Sequence, residues 1–205
     1  MAEPAVHLRP FREPDLEYLV RFSTDPSFSE PFLWFGFRSP EVFRRRWEDD
    51  GFLESDPRLL VVAQPDDTAI GWVSWRQGVL GAQAGVLEIG ALLFPEYRGR
   101  GAGSAAQRML VEYLFATSTV HRVWAWTGSD NLAEQKALDK CGFTREGTVR
   151  QAVFRGGEWR DSFIYGLLRH ELLQLSRLFS EIWFWPRSVP ARRTSPAGTW
   201  ALHSG

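Results

Sequence analysis

The chain contains a single cysteine, Cys141, among its 205 residues. An internal disulfide framework is therefore excluded, and a reducing compartment is the expectation. The four histidines, His7, His121, His170 and His203, share no metal-ligand spacing with that cysteine, so no metal is expected. No apolar run approaches the roughly 18–20 residues of a membrane-spanning helix, so no membrane partner is expected. The opening MAEPAVHLRP lacks the basic start and apolar centre of a secretory signal. The formal net charge is −1, and without a basic excess nothing favours a nucleic-acid partner. Together these absences point to a cytoplasmic location. What the chain does have is apolar surface: 44% of its residues are hydrophobic and ten are tryptophan, enough for one domain with a sizeable core. Most of those tryptophans should be core, with some left to line a pocket.

Residues 5–10 read as a short strand. Glu13-Pro14-Asp15 opens a helix carrying Leu16, Leu19, Val20 and Phe22. The stretch 25–40 (DPSFSEPFLWFGFRSP) is too broken for a regular element and too apolar for an idle loop. Pro40 starts a second helix that runs to about Asp50. Strands are expected at 59–64 and 69–76, separated by a turn at 65–68. A flexible connection, GVLGAQAG (78–85), leads into a largely apolar strand at 86–94, patterned as if buried on both faces. A helix after Gly103 puts Ala106, Met109, Leu110, Tyr113 and Leu114 on one side. A strand follows at 121–127. Asn131 then opens a helix, with Glu134 completing a capping box, and Gly142 suits the left-handed position that closes it. Two last strands, 143–155 and 158–168, meet across Gly156-Gly157. This is the order of an α/β domain with a mixed sheet.

The sequence GALLFPEYRGRGAGSAAQRML (90–110) joins an apolar strand to a helix through three glycines and two arginines. Glycines at such a turn let a ligand approach the backbone and leave amides unscreened, and the next helix adds unpaired N–H groups and a positive dipole end. This is an anion site suited to a phosphate or diphosphate, with Arg98 and Arg100 adding charge at the rim. A Walker loop would place Lys-Ser/Thr after the last glycine, but here Ser104-Ala105 follows. Gly101-Ala102-Gly103-Ser104-Ala105-Ala106 fits a dinucleotide pattern, yet the following strand supplies no ribose-binding acid.

The third candidate ligand is coenzyme A. Arg98-x-x-Gly101-x-Gly103 after a strand ending in Pro95 resembles the R/Q-x-x-G-x-G/A signature of the GNAT superfamily of N-acetyltransferases. The stretches 8–26, 121–147 and 158–171 resemble other parts of that family in the right order. The closing strand EWRDSFIYGLLRHE resembles the RimJ/RimL branch, the ribosomal-protein alanine acetyltransferases. The resemblance implies a mixed, mostly antiparallel sheet splayed at its central strands and flanked by about four helices, over residues 1–171. It implies acetyl-CoA as co-substrate and direct attack of a primary amine on the thioester. Glu88 is the candidate base, because desolvation among Val86, Leu87, Ile89 and Leu92 would suit a carboxylate to that task. The alternatives are a glutamate on a partly exposed strand face or a structural bridge from Glu88 to an arginine. The backbone N–H of Leu92 or Leu93 is the candidate oxyanion donor. Arg98, Gly99, Arg100, Gly101, Ala102, Gly103 and Ser104 would hold the diphosphate through their amides, and Asn131 the pantetheine arm unless it serves only as a helix cap. Positions where relatives place a proton donor for the leaving thiolate carry Leu138 and Glu134, which leaves water or Tyr165 for that role. Cys141 reads as core.

The acceptor is expected to be a small-molecule amine or a protein N-terminus, cradled by Trp34, Phe35 and Trp75. Phe28, Phe32, Phe37 and Trp72 are nearby in the sequence, and no acidic cluster of the kind a polyamine would want is visible, although Glu30, Asp49 and Asp50 are nearby. A non-catalytic acyl-CoA sensor of the same fold stays open as the alternative. Residues 172–205 form an extension. Its apolar part, 172–185, would dock on this subunit or on a second copy in a homodimer, because Trp183, Phe184 and Trp185 are costly in water. Residues 186–205, rich in Pro, Ser and Arg, read as a disordered tail.

Overall fold

The structure is a computed structural model that describes residues 5–34, 36–78 and 85–172. Its strands are β1 (Val6–Arg9), β2 (Arg58–Ala63), β3 (Thr68–Gln77), β4 (Val86–Leu93), β5 (Arg122–Gly128), β6 (Thr144–Arg155) and β7 (Glu158–Leu168). Its helices are α1 (Leu16–Thr24), α2 (Pro26–Ser29), α3 (Glu41–Asp50), α4 (Ala102–Thr117) and α5 (Leu132–Lys140), with 3-10 turns at Glu13–Asp15 and Pro95–Tyr97. The strands form one sheet in the order β1-β2-β3-β4-β5-β7-β6. Every neighbouring pair is antiparallel except β4 and β5.

The expected order of elements holds, with one addition. The stretch 25–40 contains the single-turn helix α2. Asp25 caps it, accepting the Ser27 N–H at 3.0 Å, and Pro26 occupies the first helical position. Those local signals outweigh the broken pattern of the stretch. The connection at 79–84, Phe35, and the extension beyond Leu172 lie outside the described residues.

Strand alternation sends apolar side chains into two cores. On one face Leu59, Val61, Ile70, Val73 and Ile89 meet Ala102, Ala106, Leu110 and Leu114 of α4. On the other face Leu60, Val62, Trp72, Leu92 and Phe94 meet Leu16, Leu19, Phe28 and Phe43 from the α1–α3 layer. A fully buried side chain of this size contributes about 1.5–3 kcal/mol, so both layers are held to the sheet and α4 is fixed relative to β4. The far end of α4 is tied as well. Arg169 donates from Nε to the Val120 carbonyl at 2.8 Å, from Nη2 to that of Ser118 at 2.6 Å, and from Nη1 to that of Phe115. A cation here suits the negative end of the helix. Helix α5 stops as its sequence suggests: Gly142 has φ +87°, its N–H donates to Asp139, and the Phe143 N–H donates to Leu138.

Candidate active site

β4 and β5 pair only at Val86↔Arg122, Leu87↔Val123 and Glu88↔Trp124, whereas β4 stays paired with β3 through Leu93. Beyond Glu88 the two central strands diverge, and Gly90, in the middle of the sheet, is exposed. The hydrogen-bond register shows which backbone groups face this gap. The Phe94 N–H donates to Ile70 at 2.9 Å and the Gly78 N–H to Val86 at 3.1 Å. Because backbone groups alternate along a strand, the N–H groups of Gly90 and Leu92 point to β3, and those of Ala91 and Leu93 point into the gap. Of the two expected oxyanion donors, Leu93 is therefore so oriented and Leu92 is not. The Leu92 side chain is core, 4% exposed. Ala91 presents a second gap-facing N–H that the sequence did not single out, because the parity of a strand shows only once one of its hydrogen bonds is fixed.

Glu88 is 6% exposed and points to the α1–α3 side of the sheet, directly across from Arg76. Its Oε1 accepts from Arg76 Nη2 at 2.5 Å and from Trp126 Nε1 at 3.1 Å. Its Oε2 is buried with no hydrogen-bond partner. The bridge to an arginine is thus present at one oxygen, and the other is held in place, desolvated and open to a new donor. Arg76 and Trp126 are the partners the sequence did not disclose. Alternation along HRVWAWT does put Trp124 and Trp126 on the Glu88 face, so Trp126 was within reach of a pattern argument.

The glycine turn lies where β4 ends and α4 begins. Gly99 and Gly101 have φ values of +75° and +89°, conformations that side chains disfavour. The first intrahelical bond of α4 runs from the Ala105 N–H to the Gly101 carbonyl at 3.1 Å. The amides of Ala102, Gly103 and Ser104 are thus the unpaired first turn of a helix, the group expected to receive an anion. Gly103 does not need its glycine for backbone reasons; a Cβ there would make only ordinary contact with Leu93 Cδ1 at 3.5 Å. Arg100 is exposed at the rim and makes no ion pair among the described residues. Arg98 departs from expectation. Its own N–H donates to Pro95 at 3.3 Å, and its guanidinium donates to the carbonyls of Leu93 (2.9 Å), Glu30 (2.8 Å) and Phe28 (3.1 Å). The rim charge assigned to it is occupied by backbone oxygens.

Asn131 caps α5, its Oδ1 accepting the Glu134 N–H at 3.2 Å. Only that half of the capping box forms, since the Asn131 N–H donates to Gly128. The Glu134 carboxyl instead accepts from Gln107 Nε2 of α4 at 3.3 Å. Desolvation between the two helices raises the Glu134 pKa to about 7, and the Gln107 hydrogen bond opposes the rise. Leu138, Cys141 and Tyr165 sit together in the α4-face core. The Cys141 thiol donates to the Ser104 carbonyl at 3.2 Å, in keeping with its reading as core. Burial raises the Tyr165 pKa above its usual 10.

On the acceptor side, Trp34 is half-buried and meets exposed Phe37 edge-on, at 5.2 Å between ring centres. Phe32 lies under the Arg155 guanidinium, 4.8 Å away. Phe28 and Trp72 are core. Phe35 lies outside the described residues. Trp75 requires a correction. It pairs with Ile89 and packs on Tyr113 of α4, at 5.9 Å, so it is on the sheet face opposite Glu88. Its neighbour Arg76 occupies the position the tryptophan was expected to take. Among the described residues no group of three or more His, Cys, Asp or Glu could hold a metal, and no helix is long and apolar enough to cross a membrane.

A mixed sheet split after its one parallel pair, with a bare helix N-terminus at the end of the split strand, has the architecture of the acyl-CoA-binding transferases. The family model described as "Acetyltransferase (GNAT) domain" matches residues 5–144, and the chain belongs to this family. It is 35% identical over 103 residues to the probable N-acetyltransferase YjcK of Bacillus subtilis, which is 50% of this chain and 56% of that protein. It is 32% identical over 84 residues to the uncharacterized N-acetyltransferase YnaD of the same organism, 41% of this chain and 49% of that one. The matches thus span about half the length of these curated relatives. The fold is also that of spermidine N-acetyltransferase from Vibrio cholerae, solved in complex with CoA and spermine: TM-score 0.69, 18% identity, covering 82% of this chain and 98% of that one.

Proposed function

We propose that the protein transfers an acetyl group from acetyl-CoA to a primary amine by direct attack on the thioester. The observation that carries this reading is the conjunction, along one strand, of a buried carboxylate oxygen without a partner (Glu88 Oε2) and of N–H groups that face an unpaired gap. The amides of residues 99–104, with Arg100 at the rim, receive the diphosphate, and the Asn131 side-chain amide meets the pantetheine arm. Acetyl-CoA supplies the acyl group as a thioester. Glu88 Oε2 takes the proton that the attacking ammonium must lose, directly or through a water. A gap-facing N–H of β4 stabilises the oxygen that becomes negative as nitrogen bonds to the carbonyl carbon. The C–S bond then breaks, and the thiolate takes the second proton that the nitrogen sheds on becoming an amide, passed through water in the cleft.

The acceptor is a primary amine, a protein N-terminus or a small-molecule amine. The resemblance of the closing strand to the RimJ/RimL branch supports the peptide. Of the acids near the aromatic loop, Asp50 is engaged, accepting from the Phe52 and Ser55 amides and the Ser55 hydroxyl, which leaves the Glu30 and Asp49 carboxylates for the second ammonium group of a polyamine. The test is thiol release from acetyl-CoA with a panel of peptides, monoamines and spermidine, for the wild type and for Glu88→Gln. Release with at least one amine, reduced by about 10²–10⁴ in the variant while CoA still raises its melting temperature, is the expected result. A wild type that binds acetyl-CoA and releases no thiol with any amine would make the chain a sensor instead.

A further inference from the structure

We propose that Arg98 is a positioning residue that holds the acceptor loop against the end of β4, so that amine binding depends on it more than coenzyme binding does. The proposal rests on the acetyl-transfer reading above for its kinetic consequence, and on geometry alone for the link itself.

Arg98 stands in the turn that receives the diphosphate, yet its donors turn elsewhere. Three of its five N–H groups end on main-chain carbonyls from two separate segments, one adjacent in the chain and one distant. Nε reaches Leu93 at 2.9 Å, the last residue of β4. Nη1 and Nη2 reach Glu30 and Phe28 at 2.8 and 3.1 Å, 68 and 70 positions earlier in the chain. Its main-chain N–H is likewise bonded, to Pro95. A planar fork satisfying three carbonyls at once fixes both distance and orientation between the segments, which a lysine could not do. Charge-assisted bonds of this kind are stronger than neutral ones.

What the fork holds is the base of the aromatic acceptor loop. Phe28 is 1% exposed and anchored against Trp72 and Phe94. Past Glu30, Leu33 still packs against the core, and the other contacts among the described residues are few. The Leu33 N–H donates to Ser29, the Arg38 N–H donates to Ser23, Phe32 lies under Arg155, and Trp34 touches Phe37. The peptide groups that Arg98 grips therefore lie between the core anchor at Phe28 and the exposed aromatic end of the loop. On the other side, the Leu93 carbonyl shares its strand edge with the Leu93 N–H, the edge that faces the gap. One guanidinium thus sets the separation between the loop that receives the amine and the strand edge along which the thioester lies.

The experiment compares wild type, Arg98→Met and Arg98→Lys by CoA calorimetry, by steady-state kinetics with an accepted amine, and by limited chymotrypsin digestion at the aromatic residues 32–37. In Arg98→Met the acceptor KM is expected to rise at least about tenfold, with CoA Kd within about threefold of wild type. Cleavage at 32–37 should accelerate, and Arg98→Lys should recover only part of the loss. Equal weakening of CoA and amine would make Arg98 a phosphate ligand, and an unchanged acceptor KM with unchanged cleavage would leave the fork without a positioning role; either result overturns the proposal. A wild type that binds no CoA would overturn the acetyl-transfer reading separately, and the cleavage rates would then decide the link by themselves.

Discussion

Replacing Glu134 by glutamine should stabilise the protein, and only above a definite pH. The carboxyl is partly buried between α4 and α5, and desolvation raises its pKa from the usual 4.5 to about 7. Between those values the folded chain keeps a proton that the unfolded chain has released. The stability tied to this group is therefore fully present below pH 4.5 and is lost as pH rises through 7. At 1.36 kcal/mol per pH unit the loss approaches about 3 kcal/mol, and partial exposure of the side chain brings it toward about 2 kcal/mol. Glutamine has no charge to desolvate and still offers an oxygen to Gln107. The cap is untouched, because Asn131 accepts the backbone N–H of residue 134 rather than its side chain. In urea unfolding, the variant should exceed the wild type by less than about 1 kcal/mol at pH 5 and by about 2–3 kcal/mol at pH 8. Two stability curves that stay parallel across this range would refute the reasoning, since they would mean that the Glu134 carboxyl titrates alike in folded and unfolded chains.

Gly99→Ala should cost about 1–2 kcal/mol through backbone strain alone, because φ is +75° and the added Cβ meets nothing within 4 Å. Calorimetric melting should fall by a few degrees, and the stabilisation by CoA should shrink if the turn needs this conformation to present its amides. Arg169→Met frees the carbonyls of Phe115, Ser118 and Val120 at the end of α4 and should destabilise by about 2 kcal/mol, with CoA affinity unchanged. Loss of CoA affinity in that variant would show that the far end of α4 is not independent of its phosphate-binding end.

Local signals in the sequence were enough for most of the frame. The turn at Gly99–Gly103, the stop at Gly142 and the hairpin at Gly156-Gly157 each depend on residues within a few positions of one another, and all three are in place. Glu88 could be picked out because a carboxylate in an apolar strand is conspicuous. What escaped depended on register or on distant partners. Trp75 and Arg76 differ by one position, and one position in a strand decides the face. The direction of β3 relative to β4 is fixed by pairing 12 residues apart, from Arg76 to Glu88, with residues 79–84 between. Arg98 carried the right charge for a phosphate, but its carbonyl partners lie 68 and 70 positions away. The Glu134 carboxyl found Gln107, 27 positions earlier, instead of the amide three positions before it. A motif fixes the residue type in such cases, and the tertiary packing fixes its target.

The same register discriminates between the two gap-facing amides. A strand rises about 3.3 Å per residue, so Leu93 lies about 17 Å along β4 from Glu88 and Ala91 about 10 Å. A glutamate side chain spans only part of either distance. From Ala91 the remainder is a gap that the amine itself, or one water, can fill; from Leu93 it would take a chain of several waters. In the acetyl-transfer reading proposed above, the carrier's arm would enter from the glycine turn, pass Leu93 first and reach Ala91 next. On that reading the Leu93 N–H would hold the arm, and the Ala91 N–H the thioester oxygen. Proline tests this directly, because it deletes an N–H that no neighbouring strand uses and so spares the ladder to β3. Ala91→Pro should lower kcat by about 10²–10³ with little change in CoA affinity, whereas Leu93→Pro should weaken CoA binding more than it lowers kcat. The reverse pattern, with kcat falling only in Leu93→Pro, would place the reacting carbonyl at the end of the strand and would take Glu88 out of reach as its base.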